Sequence, residues 1–232
     1  MHESIATALY RGYERKIDRF DPEIINQRLN RLPFKRSAWL RGSLRELKTI
    51  PGIVTFEPQI VGDGKRAEAY LFGVAREKEV CGRSGWYAFA MRLAARDFRT
   101  EFRDLPVLIT HHLVQRTMQR LDVRHPAAAI RHLQATVYAA IWLETPRSDS
   151  MLLPARGGAV AAVPDRDESG YWALVTFIDQ AKLSDGQHQQ VQFWTDKVRQ
   201  AVVSMFDAEL AKPPAERHPH VVACMQSAGA CA

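Results

Sequence analysis

The chain has 232 residues, 32 of them Lys or Arg and 26 Asp or Glu, for a formal net charge of +6. With 46% apolar and 25% charged residues it can bury a sizeable core without metal or disulfide staples. No run reaches the roughly 18 apolar residues of a membrane span, and three scattered cysteines (Cys81, Cys224, Cys231) exclude a disulfide framework and a four-cysteine zinc site.

The opening residues, MHESIATALYRGYERKID, lack the charged-then-apolar order of a secretory leader, so a cytoplasmic location is expected. They predict a helix over 3–20, with Ile5, Leu9, Tyr13 and Ile17 on one stripe. Asp21-Pro22 is a good start for a second helix, which ends before Pro33. A third is expected over 36–49, with Trp39, Leu40, Leu44 and Leu47 apolar. Seven basic residues fall between 28 and 48 (Arg28, Arg31, Lys35, Arg36, Arg41, Arg45, Lys48) against one acid, Glu46. The excess is regional: residues 1–120 carry a balance of +8 and residues 121–232 one of −2. A basic helical segment with an apolar face suits nucleic acid or an acidic partner protein. A plain solvated helix face would look the same.

Pro51-Gly52 breaks the helical region. Strands are expected at Ile53–Phe56 and Ala69–Ala75, with Gly82 and Gly85 flanking a turn. The stretch 86–102 reads either as strand throughout or as a strand, WYAFAM, passing into a helix, RLAARDFR. Pro106–Ile109 is extended, Thr110 caps a helix from His111 to Leu121, and His125-Pro126 opens another over 126–143. Strands follow at Met151–Leu153, Gly158–Val163 and Tyr171–Ile178, the last two as a hairpin. The run SDGQ at 184–187 resembles a capping box and opens a long helix to about 211. The fold class expected is α+β: a helical N-terminal region, two helices, an antiparallel sheet and a long C-terminal helix. Its parts are a basic helical region (1–50), an α+β domain (51–211) and a disordered tail (212–232).

The run HLVQRTMQR carries the chemistry. Residues four apart on a helix are rotated by only about 40°, so His112, Arg116 and Arg120 share a face. Val114, Met118 and Leu121 then point to the core, with Leu113 and Thr117 at the boundary. His112 lies in the first turn, where the helix dipole favours neutral imidazole, a proton acceptor near pH 7. Two guanidinium forks on the next turns suit a phosphate and the charge that builds on it. A base, a phosphate clamp and the ribose 2′-OH are enough to cleave RNA without metal or cofactor.

The run ITHHLVQRTMQRLD, from Ile109 to Asp122, resembles the H-x3-R-x3-R helix of toxin-like RNases of the RelE/barnase–EndoU–colicin superfamily. The resemblance covers 109–134 and extends loosely to YWALVTFI at 171–178. It implies a metal-independent endoribonuclease, with His112 as general base or acid, Arg116 and Arg120 as the phosphate clamp, and Thr176 on a late strand at the cleft. It also implies RNA, or an acidic inhibitor protein, as partner. The N-terminal hundred residues lie outside it, and no basic residue stands on the late strand. The alternative from the residues alone is a non-enzymatic nucleic-acid- or protein-binding module that uses Arg28, Arg31, Arg36, Arg41 and Arg45. His111, His112, Asp122, His125 and His132 cluster within 22 residues, but their spacing matches no familiar metal-ligand pattern.

Overall fold

A computed structural model describes residues 1–17, 23–32, 36–80, 83–142, 150–164 and 172–196. The chain begins with three helices, α1 (Glu3–Ile17), α2 (Glu23–Asn30) and α3 (Arg36–Leu47). Short strands β1 (Ile53–Thr55) and β2 (Gln59–Val61) lead into a long meander of β3 (Glu68–Val80), β4 (Arg83–Ala94) and β5 (Arg99–Thr110). Helices α4 (His111–Arg120), α5 (Pro126–His132) and α6 (Gln134–Trp142) come next, then β6 (Met151–Ala155), β7 (Gly158–Pro164) and β8 (Trp172–Asp179). The class is α+β. The fifth helix position expected over 126–143 divides in two, because Leu133 turns at φ −87° and ψ 2° and is fully buried there.

One eight-stranded sheet runs β1-β3-β4-β5-β8-β7-β6, with β2 also beside β3. All pairs are antiparallel except β5 and β8, which are parallel at Val107–Ile109 against Trp172–Leu174. Two expectations are corrected here. The sheet is mixed, because α4–α6 carry the chain back across it before the β7–β8 hairpin enters beside β5. It also begins before α4 rather than after it. The stretch 86–102 is strand, with the β4–β5 turn held by Phe98 at φ 58°. RLAARDFR is therefore not a helix: Ala94 pairs with Arg99, and Leu93 and Ala95 bury their side chains in a core that a helical period would miss.

The two sheet faces hold separate cores. One lies under α1, α4, α5 and α6 and includes Tyr10, Trp86, Ile109, Leu113, Met118, Ile130, Val137, Trp172 and Leu174. The other lies under α2 and α3 and includes Ile25, Leu29, Trp39, Leu47, Leu71, Phe89 and Met91. α1 is an integral part of the first core. Its buried residues are Ala6 and Tyr10, while Ile5 and Leu9 are 53% and 37% exposed. The expected stripe is thus displaced by one position.

A helix over 185–196 closes the described chain. The Gln187 amide donates to Ser184 Oγ at 3.4 Å and the Ser184 amide to Gln187 Oε1 at 2.9 Å, the reciprocal pair of a capping box. The Asp21-Pro22 helix start, the helix beyond 196 and the tail 212–232 lie outside the described residues. None of the described helices is long and apolar enough to cross a membrane.

Candidate functional site

Thr110 fixes where α4 begins. Its Oγ1 accepts from the Leu113 amide at 3.2 Å, capping the helix. The same hydroxyl lies 3.0 Å and 3.1 Å from the carbonyls of Leu174 and Val175, to which it donates. One side chain therefore joins the ends of β5, α4 and β8. The buried stripe of α4 is Leu113, Val114, Thr117 and Met118, and Thr117 Oγ1 donates to its own helix at Leu113 O, 2.9 Å away. This leaves His112 and Arg116 on the outer side, as the periodicity requires.

What lies against that outer side is α1, not the β7–β8 hairpin. Glu3, Ala6 and Thr7 face His112, Gln115, Arg116 and Gln119 across a hollow of about 10 Å³, room for roughly one water. Arg116 Nη1 donates to Gln119 Oε1 at 2.8 Å and to Glu3 Oε2 at 3.4 Å. The Met1 amino group donates to Gln119 O and pairs with Asp122 Oδ1, both at 3.2 Å, so α1 is tied along α4. His112 is exposed. Arg120 is half-buried, and its Nε has no hydrogen-bond partner among the described residues.

Thr176 is not brought to this helix. It pairs with Ala161, which sits between Val160 and Ala162, and both of those face the helical core. Directly paired residues share a face, so Thr176 points to the opposite side of the sheet. The cause is a bulge in β8: Leu174 pairs with Ala162 and Thr176 with Ala161, leaving Val175 as an extra residue. A strict period of two from Leu174 would have aimed Thr176 at α4.

The sequence reading missed a second polar group beside the first turn of α4. Arg76 is buried, and its Nη2 donates to Glu14 Oε1 at 2.8 Å and its Nη1 to the Gly85 carbonyl at 3.3 Å. The same Glu14 oxygen lies 3.5 Å from His111 Nδ1. Next to them Trp86 Nε1 donates to Tyr10 Oη at 3.0 Å, and both rings are buried. Burial pushes the Tyr10 phenol well up from its ordinary value and raises the Tyr13 phenol as well. Tyr13 stacks on Trp86 at 6.1 Å and meets His125 edge-on at 5.0 Å. Two signals pointed here: the lone arginine in the apolar run AYLFGVAR, and the i, i+4 pair Tyr10–Glu14. The group is a tie between α1 and the sheet. Among the described residues no three His, Cys, Asp or Glu side chains are arranged to hold a metal.

The basic segment divides by environment. Arg28 pairs with Glu46 at 3.0 Å, so the one acid of the segment is engaged away from the rest. Arg31, Arg41 and Arg45 are exposed, and the Arg36 side chain lies outside the described residues. On α3 the buried residues Trp39, Leu40, Ser43 and Leu47 form one side. At 100° per residue Arg41, Arg45 and the following Lys48 fall on the opposite side within about 60° of arc. All three are exposed, and Glu46, the one acid of the helix, falls outside that arc.

No protein-family model matches the chain, and no curated protein or solved structure shows significant similarity to it.

Proposed function

We propose that this chain is a nucleic-acid-binding module whose contact surface is the exposed ridge of α3. The observation that carries the proposal is the exposed row Arg41, Arg45 and Lys48, opposite a buried stripe. Cations at successive turns of one helix repel mildly, and a run of backbone phosphates removes that cost. The helix rests on a packed core, so the backbone that carries the row is already ordered before a ligand arrives. Arg31 extends the same charge at the end of α2. We also infer a cytoplasmic location, supported by the scarcity and scatter of cysteine.

The test is binding of single- and double-stranded oligonucleotides against salt concentration. If the three side chains neutralise three phosphates, replacing them with Gln lowers the slope of log affinity in log salt by about 2–3. An unchanged slope, or no binding by the unmodified chain, overturns the proposal.

A second reading, metal-independent cleavage of RNA at α4, has one observation in its favour: His112 is exposed and shares a hollow with Arg116. A phosphate there must displace Glu3 and Gln119 from the Arg116 fork. It must also do without Thr176. The expected result is RNA cleavage that persists in EDTA and is abolished by His112→Ala or Arg116→Ala with the fold intact. RNA of varied sequence left whole by the unmodified chain refutes it.

A further inference from the structure

The geometry points to the outer edge of β5 as a contact between two copies of this chain, paired antiparallel about Phe102. β5 pairs with β4 along one side from Arg99 onward, but on its other side β8 reaches only Val107–Ile109. Among the described residues no strand covers the outer side of the segment 99–106. Glu101, Phe102, Arg103 and Asp104 are all exposed there. Phe102 stacks on Phe89 with ring centres 4.9 Å apart, yet stays 47% exposed. An uncovered edge with an exposed aromatic ring is a template for another strand.

The edge has defined ends. The β4–β5 turn closes one, and a register irregularity between Tyr87 and Phe89, opposite Pro106, closes the other. Pro106 has no amide to donate, and from Val107 onward β8 already occupies the outer side, so a second strand cannot pair past this point. About six residues remain, RTEFRD, and their pattern selects the partner.

In a twofold antiparallel pairing centred on Phe102, Glu101 lies opposite Arg103 of the copy, and Arg103 opposite its Glu101. The phenyl rings meet on the other face. Centring the twofold on Glu101 or Arg103 sets like charge against like, and centring it between Phe102 and Arg103 sets Glu101 against Asp104. Centring it between Glu101 and Phe102 puts each carboxylate against a ring. Only the Phe102 centre yields two ion pairs and a ring contact together. Arg92 already holds Glu101 at 2.9 Å, so the carboxylate is pre-positioned while still 57% exposed. The same Arg92 is held by Glu68 at 2.7 Å. The charged row therefore runs Glu68–Arg92–Glu101 and ends on Arg103 of the second copy. An interface one short strand long falls below the roughly 1,200 Å² of a stable specific complex, so the dimer is weak and concentration-dependent.

The test is sedimentation velocity of the full chain over two decades of concentration. The expected result is a sedimentation coefficient that rises with concentration. Arg103→Glu alone and Glu101→Arg alone each put like charges opposite one another and should stay monomeric. An equimolar mixture of these two variants restores both ion pairs and should associate. Phe102→Cys should form a disulfide with its own copy under mild oxidant, which the unmodified chain with its native cysteines should not. A sedimentation coefficient independent of concentration overturns the inference. So does association untouched by either charge reversal, or a mixture that behaves as its separate components do.

Discussion

Tyr10→Phe tests whether α1 is structurally part of the sheet domain. The substitution keeps the ring and deletes one hydroxyl. That oxygen accepts the Trp86 indole N–H at 3.0 Å, and both side chains are at most 1% exposed. With the acceptor gone, Trp86 Nε1 remains buried without its partner. Leaving a buried donor unmet costs about 1–3 kcal/mol, whereas a change on an exposed helix stays within about 0.5 kcal/mol. The expected loss is therefore about 2 kcal/mol, well over tenfold in the folding equilibrium. Urea unfolding followed by tryptophan fluorescence and by circular dichroism measures it. The midpoint should fall with the slope unchanged, and both probes should move together. A midpoint unchanged from the parent refutes the packing argument. Separate transitions for the two probes would mean that α1 unfolds on its own and that its tie to Trp86 does not couple it to the core.

Gly158→Ala should abolish stable folding, because a Cβ at that position would lie 2.1 Å from the Ile178 carbonyl oxygen; yield of soluble protein and thermal melting read it out. Thr110→Ala removes a helix cap together with the link to β8 and should lower stability by about 1–2 kcal/mol in urea, while Thr110→Ser recovers most of the loss. Burial and a hydrogen bond to Glu68 push the Tyr70 phenol up to about 12. A phenol raised from about 10 in the unfolded chain gives stability that is present below pH 10 and lost between pH 10 and 12. Native protein should therefore show delayed tyrosinate absorbance over that window, and Tyr70→Phe should reduce the fall in stability across it. A titration at the ordinary pH in the native state contradicts the burial argument.

The parts of this fold that are readable from sequence are those set by neighbours in the chain. Thr110, His111 and the spacing of Leu113, Val114, Thr117 and Met118 define α4 and its outer face without help from elsewhere. Ser184 and Gln187 do the same for the last helix. α1 shows where this stops. It has two stripes of comparable apolar character, Ile5–Leu9 and Ala6–Tyr10. The second is buried because Tyr10 finds its donor on Trp86, far along the chain. The parallel contact of β5 with β8 is equally non-local, since it depends on three intervening helices and a hairpin. That Thr176 faces away from α4 is hidden for a further reason: WALVTFI is apolar almost throughout, so no alternation marks the bulge. At the candidate site the shared face of His112 and Arg116 was legible. The presence of α1 over them was not, because Glu3 and Arg116 meet only after folding.

The extra residue at Val175 makes the end of the sheet tolerant of a change in chain length. Removing it would set Leu174 and Thr176 opposite Ala162 and Ala161 in regular alternation, and the end of β8 would face as it does now. Phe177 would stay in the interior and Thr176 on the opposite side of the sheet. A deletion of Val175 should therefore harm the protein less than a deletion of Ala173, which would turn Leu174 out of the helical core. Natural variants of this chain should lose a residue at 175 more readily than at 173.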